Sequence, residues 1–526
     1  MSYLDIGDAY FRGDWKSAIN AYWSPLYSWC VGLGLYIVRP SIWWEFITVH
    51  IVNFLIFVGA LFCFRFLLHS MLRSMRESSS ASSSDSVPLS ENVFLMLSYS
   101  LFLWCSLILI EVGKVVPDLL TAGIVFLIAG YLVELSTCHS YAKFALIGAL
   151  AGVAYLARGI MFPLGFGLLG ILLFSGKNSK ARVLGVVLSA GLFLMVCSPF
   201  ILALSKAKGR FTFGDTGKLA YAQFVSPRAP QIHWQGEPAG SGTPAHPTRK
   251  LLETPPVFEF GEPIQGTYPP WDDPSYWNEG VRWRFRLRGQ LHVLMASTLT
   301  YERLLFLREP VLLAGVLVFL FVGGKDTRRA IAANWPLLAM AGLSLAAYAL
   351  VLVVERYVAA SLVLLFLAIF AGIRLPRNSW LESASTYSSA AIALTVVLTV
   401  AGHLVENAYA TTFAGGTDPP AKDQMMAASG LENLGLRAGD KVAVIGRGGF
   451  NAWARLGRFK IVAEAATADP AASEFWDFPP EYRDAAYECM SRTGAKAVVA
   501  WAPPKRALDS HWQKISTGYY AYFFGK

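Results

Sequence analysis

Charge is what this sequence has least of. Only 15% of its 526 residues are Asp, Glu, Lys or Arg, against about 25% in an ordinary soluble domain. With 54% hydrophobic residues and a mean hydropathy of +0.43, that scarcity excludes a soluble globular protein of usual make-up. The formal net charge is +9, yet no basic block with interleaved aromatics exists, so nucleic acid is excluded as a partner. Six cysteines, Cys30, Cys63, Cys105, Cys138, Cys197 and Cys489, lack the C-x-x-C spacing of a zinc site or redox pair. Most sit in apolar runs as buried thiols. Metal-ligand spacing is also missing among the histidines. His50 and His403 lie in helical runs, and His233, His246 and His292 are scattered through a long loop, where one could still meet an acid in space. No clear internal repeat is visible.

What is abundant is the long apolar run. A spanning helix needs about 20 mainly apolar residues, and ten candidates occur near 45–68, 92–111, 118–135, 141–157, 160–175, 183–204, 309–323, 335–354, 357–373 and 388–405. Lys and Arg cluster in one set of alternate loops: Arg73 and Arg76; Lys177, Lys180 and Arg182; Lys325, Arg328 and Arg329; Arg374 and Arg377. That set is expected on the cytoplasmic side. The opposite set, expected on the outer or periplasmic side, comprises the N-terminal segment, the turn EVGKVVPD, the turn at Arg158, the loop 206–307, the turn at Glu355 and the tail after 405. The expected fold class is therefore a polytopic α-helical membrane protein with about ten transmembrane helices and a small C-terminal α/β soluble domain.

Three regions follow. Residues 1–44 form an outer juxtamembrane loop with amphipathic helices, 45–405 the transmembrane domain, and 406–526 an extracytoplasmic α/β domain. Within the second, 69–91, with its serine-rich SSSASSSDS, reads as a flexible cytoplasmic linker. The loop 206–307, rich in Pro, Gly and Trp (PPWDDPSYWNEGVRWRF), is expected to fold over the membrane face. In the tail, DKVAVIG, FKIVAEA and AKAVVAW read as strands, with PPEYRDAAYECMSRTG as a helix between the last two. The turn IGRGGF lacks the third glycine of a dinucleotide loop and is expected to be a plain strand-to-helix turn.

Charged groups at the outer ends of apolar runs are costly unless paired, which makes them candidates for chemistry. Asp5 and Asp8 share one helical face, where repulsion would raise one pKa and prepare a base. Pairing with Arg12 and Lys16 is the alternative, and Asp14 suits a cap. In EVGKVVPDLL, Glu111, Lys114 and Asp118 offer a lysine for phosphate and acids for a hydroxyl or metal ion; Asp118, just after Pro117, equally suits a helix start. Arg158 in YLARGIMFP, and Glu355, Arg356 and Tyr357 in VVERYVAA, interrupt apolar runs at turns. An arginine there offers a forked donor to an anionic headgroup, or snorkels to the interface.

Together these residues resemble the GT-C superfamily of integral-membrane glycosyltransferases, which includes protein O-mannosyltransferases and lipid A aminoarabinose transferases. Tyr3 with the following LDIGDAY and YWSPLYSW looks like the continuation of that family's first outer loop. Asp118 in VVPD looks like the acid of its second outer turn, and Arg356 with Tyr357 is similar to a motif near a late outer turn. The resemblance covers roughly residues 1–405. It implies a polyprenyl-phosphate-linked sugar as donor, a glycan, lipid or protein as acceptor, and action at the outer face of the cytoplasmic membrane. Asp5, Asp8 and Asp118 are then the candidate catalytic acids. Glu111, Lys114, Arg158, Glu355, Arg356 and Tyr357 are the candidate substrate-binding residues, with Lys114, Arg158 and Arg356 for phosphate and Tyr10, Tyr22, Trp23 and Trp271 for the sugar or lipid path. A divalent cation is left open as cofactor. The family pattern also implies a helix and an Asp-Glu or Asp-Gly pair ahead of Met1, which competes with Asp5 and Asp8 for the catalytic role. The alternatives are a transporter or flippase for a lipid-linked sugar, which would break paired helices at mid-membrane, and a catalytically inactive outer-face scaffold.

Overall fold

The computed structural model describes residues 1–80, 86–176, 179–226, 228–262, 265–308, 310–412, 420–466 and 472–525. Residues 81–85 of the serine-rich stretch, and Lys177 among the topology signals, lie outside them. The chain divides into two compact units, one made of 1–49, 226–284 and 405–526, the other of 50–225 and 285–404. This partition cuts across the three consecutive regions expected from sequence, because the first unit draws on three separated stretches.

All ten apolar runs are helical. The helices used below are α1 (Glu45–Ser80), α2 (Glu91–Leu103), α3 (Asp118–Thr137), α4 (Tyr141–Ala157), α5 (Met161–Phe174), α6 (Lys180–Lys208), α7 (Leu287–Glu302), α8 (Trp335–Ala349), α9 (Glu355–Gly372) and α10 (Ser379–Thr412). Among the described residues six helices are long and apolar enough to cross a membrane, and a seventh span exists if the pair 325–333 and α8, bent by 72°, counts as one. The expected ten is therefore an overcount by length. The runs at 141–157, 160–175 and 309–323 are shorter apolar helices. Phe54, Leu55 and Phe62 on α1 stand exposed, as side chains facing hydrocarbon do. This is an integral membrane protein.

The expected flexible linker 69–91 is largely ordered. Helix α1 continues to Ser80, Ser86–Pro88 pairs antiparallel with Arg374–Pro376, and Arg76 forks onto Glu91 at 2.5 and 2.7 Å. Serine content hid this, since helix propagation from a long apolar run outweighs the modest propensity of serine.

The other unit is built on a seven-stranded sheet. Its strands are β1 (Arg249–Leu252), β2 (Val257–Glu259), β3 (Lys441–Ile445), β4 (Lys460–Ala465), β5 (Ala497–Trp501), β6 (Trp512–Lys514) and β7 (Tyr519–Phe523), in the order β1-β2-β4-β3-β5-β7-β6. The central β4, β3 and β5 run parallel and the flanking pairs antiparallel. Buried on both faces, β3 and β5 need the near-continuous apolar runs VAVI and AVVA that they have. The long loop supplies β1 and β2, and its Phe258, Phe260, Tyr268 and Trp277 join the sheet's core. Part of it is thus a piece of the α/β domain, a pairing invisible in sequence because roughly 200 residues separate the partners, as Phe258 and Glu464 show.

The IGRGGF turn is the plain turn expected. Gly446 takes φ 102°, and the Gly448 N–H donates to the Glu464 carboxylate at 2.8 Å. A Cβ at Gly448 would run into the Tyr268 ring. Glu464 is buried and also accepts from the Tyr268 hydroxyl at 2.9 Å and meets His233 Nε2 at 2.5 Å. Two loop histidines find an acid, both in structural settings: His233 stacks on Phe258, and His246 meets Glu279 at 3.1 Å while stacked on Tyr276.

Candidate functional site

Helix ends bring the membrane unit's charged groups together. Pro117 precedes α3 and cannot continue a helix from upstream, so Asp118 falls in its first turn, with the Thr121 hydroxyl donating to the Pro117 carbonyl at 3.0 Å. Arg158 is the extended residue that ends α4, its N–H donating to the Ala154 carbonyl. Arg356 and Tyr357 lie in the first turn of α9, after extended Val354.

Asp118 is buried and its two oxygens face different arginines. Arg158 donates to Oδ1, and Arg356 Nε lies 3.4 Å from Oδ2. The Arg158 guanidinium stacks 3.8 Å from the Tyr357 ring centre, and Tyr348, in the last turn of α8, is 5.5 Å from Tyr357. Such stacking favours arginine over lysine. Two guanidiniums against one carboxylate leave a net +1. Arg356 Nε is buried and faces Asp118 Oδ2 without a well-formed hydrogen bond to it, so Asp118 holds the second guanidinium more loosely than the first.

These groups occupy the polar end of a groove that is otherwise apolar. Along α3 it is lined from Asp118 through Val125 to Ile128, about 15 Å at 1.5 Å per residue. Leu164, Leu168 and Leu364 complete its apolar walls, and Ser344 and Ser361, hydrogen-bonded to each other at 2.9 Å, are the small polar exception. An amphiphile with an anionic head matches that distribution.

The sequence's other candidates lie elsewhere. Glu111 and Lys114 pair with each other at 2.6 Å, and neither they nor Glu355 line the groove. Asp5 and Asp8 belong to the other unit, in a buried ion cluster. Arg455 meets Asp5 at 2.7 Å, Asp8 at 2.7 Å and Glu45 at 2.9 Å, while Arg458 bridges Asp8 and Glu45 at 3.1 and 2.8 Å. Asp5 also accepts the Thr267 N–H at 2.9 Å. The expected raised pKa is corrected by this setting. Burial pushes the Asp5 carboxyl up, but Arg455 and the Thr267 bond outweigh it and hold it below its usual value. Asp14 caps a short helix through Ser17 N–H. Tyr22, Trp23 and Trp271 pack edge to face around one another, with Trp23 Nε1 donating to the Trp271 carbonyl, while Tyr10 packs on Trp15 and Trp29. Sequence reasoning missed Tyr348, whose signal was a lone tyrosine closing an apolar run, and missed Arg455 and Arg458, which had none.

Among the described residues no three His, Cys, Asp or Glu side chains come together as a metal site, and both Asp118 oxygens face arginines. No step below is routed through a metal.

Asp272 is a buried carboxylate whose Oδ1 has no hydrogen-bond partner. Burial, then repulsion from Asp5 and Asp273, pushes its carboxyl well above the usual value. As pH rises past the unfolded value the unfolded chain ionises first, so this group lowers stability through the neutral range. Asp272→Asn should raise the thermal midpoint in detergent at pH 7 and give no gain near pH 3. An equal shift at both pH values would refute the assignment.

No protein-family model and no curated protein matches this sequence. Among solved structures it is similar to the oligosaccharyltransferase of Archaeoglobus fulgidus, tethered with an acceptor peptide containing the NVT sequon, with TM-score 0.50 and 11% identity over 95% of this chain and 64% of that one. The chain shares the fold of that oligosaccharyltransferase. It spans less than two thirds of that oligosaccharyltransferase's length. Also similar is ArnT of Cupriavidus metallidurans, at 11% identity over 99% of this chain and 92% of that one, in the apo state (TM-score 0.41) and bound to undecaprenyl phosphate (TM-score 0.39). Within this fold, Asp118, Arg158, Arg356 and Tyr357 form a cluster at the ends of membrane-unit helices.

Proposed function

We propose that this chain is a membrane glycosyltransferase that transfers a sugar from a polyprenyl-phosphate carrier to an acceptor at the outer face of the cytoplasmic membrane. The observation that carries the reading is the pair of arginines, two guanidiniums set against the single carboxylate of Asp118, at the polar end of an apolar groove. The groove takes the start of the isoprenoid chain, and Arg158 and Arg356 take the phosphate. The acceptor hydroxyl oxygen bonds to the anomeric carbon as the bond from that carbon to the phosphate oxygen breaks, and the hydroxyl's proton passes to the departing phosphate. The departing electron pair stays on the phosphate, where two fixed guanidiniums stabilise it most in the transition state. The Lys and Arg bias of the loops supports an outer position for this end of the groove. The fold, with its GT-C neighbour acting on an acceptor peptide, supports the same class.

With its oxygens facing Arg158 and Arg356, Asp118 is proposed as a positioning residue. Asp118→Asn should lower kcat/KM for a polyprenyl-phosphate-sugar by roughly 10²-fold, chiefly through a higher donor KM, with Asp118→Glu restoring part of it. A loss confined to kcat would make Asp118 the base that takes the acceptor's proton instead. Transfer unchanged in both variants would sink the site.

A further inference from the structure

Helix α7 (Leu287–Glu302) is too polar on one side to be an ordinary span and too apolar on the other to face water. Its buried side carries Gln290, Val293 and Ser297. Gln290 Nε2 donates to the Leu350 carbonyl at 2.9 Å, the Ser297 hydroxyl to Ala349 at 3.0 Å and the Tyr301 hydroxyl to Leu345 at 2.7 Å. Ala349 and Leu350 are among the carbonyls that the C-terminal end of a helix leaves without partners. Ser297 with Ala349 and Tyr301 with Leu345 are each four residues apart, so the C-terminal half of α7 packs along the last turn of α8. At 16 residues, α7 is not among the described helices long and apolar enough to cross a membrane.

The opposite side presents Leu287, Leu291, Met295 and Leu299, four apart and 62%, 55%, 60% and 47% exposed. At that spacing they form one stripe. Arg286 and Arg288 at its start are exposed, and neither makes an ion pair among the described residues. Among the described residues nothing covers the stripe, and its flanking charge has no counter-charge.

We propose that α7 lies in the membrane plane as an interfacial helix, its Leu287 to Leu299 stripe seated among acyl chains and Arg286 and Arg288 paired with anionic phospholipid headgroups. A bilayer is the occupant because it supplies both halves at once, hydrocarbon for the stripe and negative charge beside it. The end of α8 that it packs on also holds Tyr348 at the groove. Lipid seated under α7 thus braces that wall through the three carbonyl bonds.

The test uses the full chain in nanodiscs of phosphatidylcholine with or without phosphatidylglycerol. The photo-crosslinking residue p-benzoylphenylalanine replaces Leu291 in one variant and Leu299 in another, and adducts are read by mass spectrometry. Both positions should capture phospholipid, at matching depths on the acyl chain, with phosphatidylglycerol captured several-fold over its share. Arg286→Ala with Arg288→Ala should abolish that enrichment while leaving phosphatidylcholine capture in place. Adducts to a second copy of the chain would overturn the bilayer as occupant. Depths differing by about 12 Å, the separation of the two positions along the helix, would mean that α7 crosses the membrane. Enrichment unchanged in the double variant would remove the arginines from the proposal. None of these readouts depends on sugar transfer.

Discussion

Arg158→Ala should abolish sugar transfer more completely than any other single change in the groove. Three losses coincide there. One of two phosphate-facing guanidiniums disappears, and loss of a single fixed donor to developing charge costs roughly 10²- to 10³-fold in kcat. Asp118, buried with 2% of its side chain exposed, loses its closest partner, and breaking a buried pair from one side costs about 3–5 kcal/mol. The stack on Tyr357 goes as well. Because alanine also threatens folding, Arg158→Lys is the sharper variant. It keeps the charge and loses the planar fork, so near-normal thermal stability with transfer down at least ~10-fold is expected. The assay is label transfer from a panel of polyprenyl-phosphate sugars by the protein in nanodiscs. Wild-type rates in Arg158→Lys would show that point charge suffices; wild-type rates in Arg158→Ala would end the proposal.

Arg455→Met should be the most destabilising change in the other unit. Arg455 is buried beneath Asp5, Asp8 and Glu45. Burial alone would lower its pKa, but the three carboxylates raise it instead. With the arginine gone, those carboxylates face one another across a buried space with Arg458 and a 3.9 Å contact from exposed Arg12 to balance them. The expected loss is at least about 3–5 kcal/mol, and it should depend on pH. In the wild type Asp5 titrates below its unfolded value, so its contribution is complete above the ordinary carboxylate range and fades as pH falls through the lower folded value. In Arg455→Met mild acid should restore stability, since protonation removes the repulsion. Thermal melts between pH 4 and 8 distinguish the two: wild type flat or falling toward acid, variant rising. A variant that melts like the wild type at every pH would mean the cluster contributes nothing.

The membrane helices were legible because each is written in one contiguous apolar run, and so were the turn residues that interrupt them. Asp118, Arg158, Arg356 and Tyr357 stood out as charges and a ring at the ends of such runs, and helix termini do bring them together. Asp5 and Asp8 were misjudged for the opposite reason. Their meaning depends on Arg455 and Arg458, which sit in an unremarkable stretch some 450 residues away, and no local pattern announces a partner at that distance. Strands β3, β4 and β5 showed as valine- and alanine-rich runs. β1 and β2 did not, being short antiparallel edges whose place is set by the tail they pair with. Tyr348 was passed over because a tyrosine closing an apolar run looks like an interface anchor until its neighbours across the groove are known.

The ion cluster has a consequence for how this protein is made. Asp5 leaves the ribosome about 450 residues ahead of Arg455, roughly 20 to 90 seconds at 5–20 residues per second. Through that interval Asp8 and Glu45 likewise lack the two arginines that neutralise them. The loop strands β1 and β2 also wait for β4. The sheet unit therefore assembles last, with every membrane helix already synthesised, and its earliest-made segment is the one longest exposed to quality control. A ribosome stalled before residue 441 would release a chain with its membrane helices complete and three buried carboxylates still searching for a counter-charge.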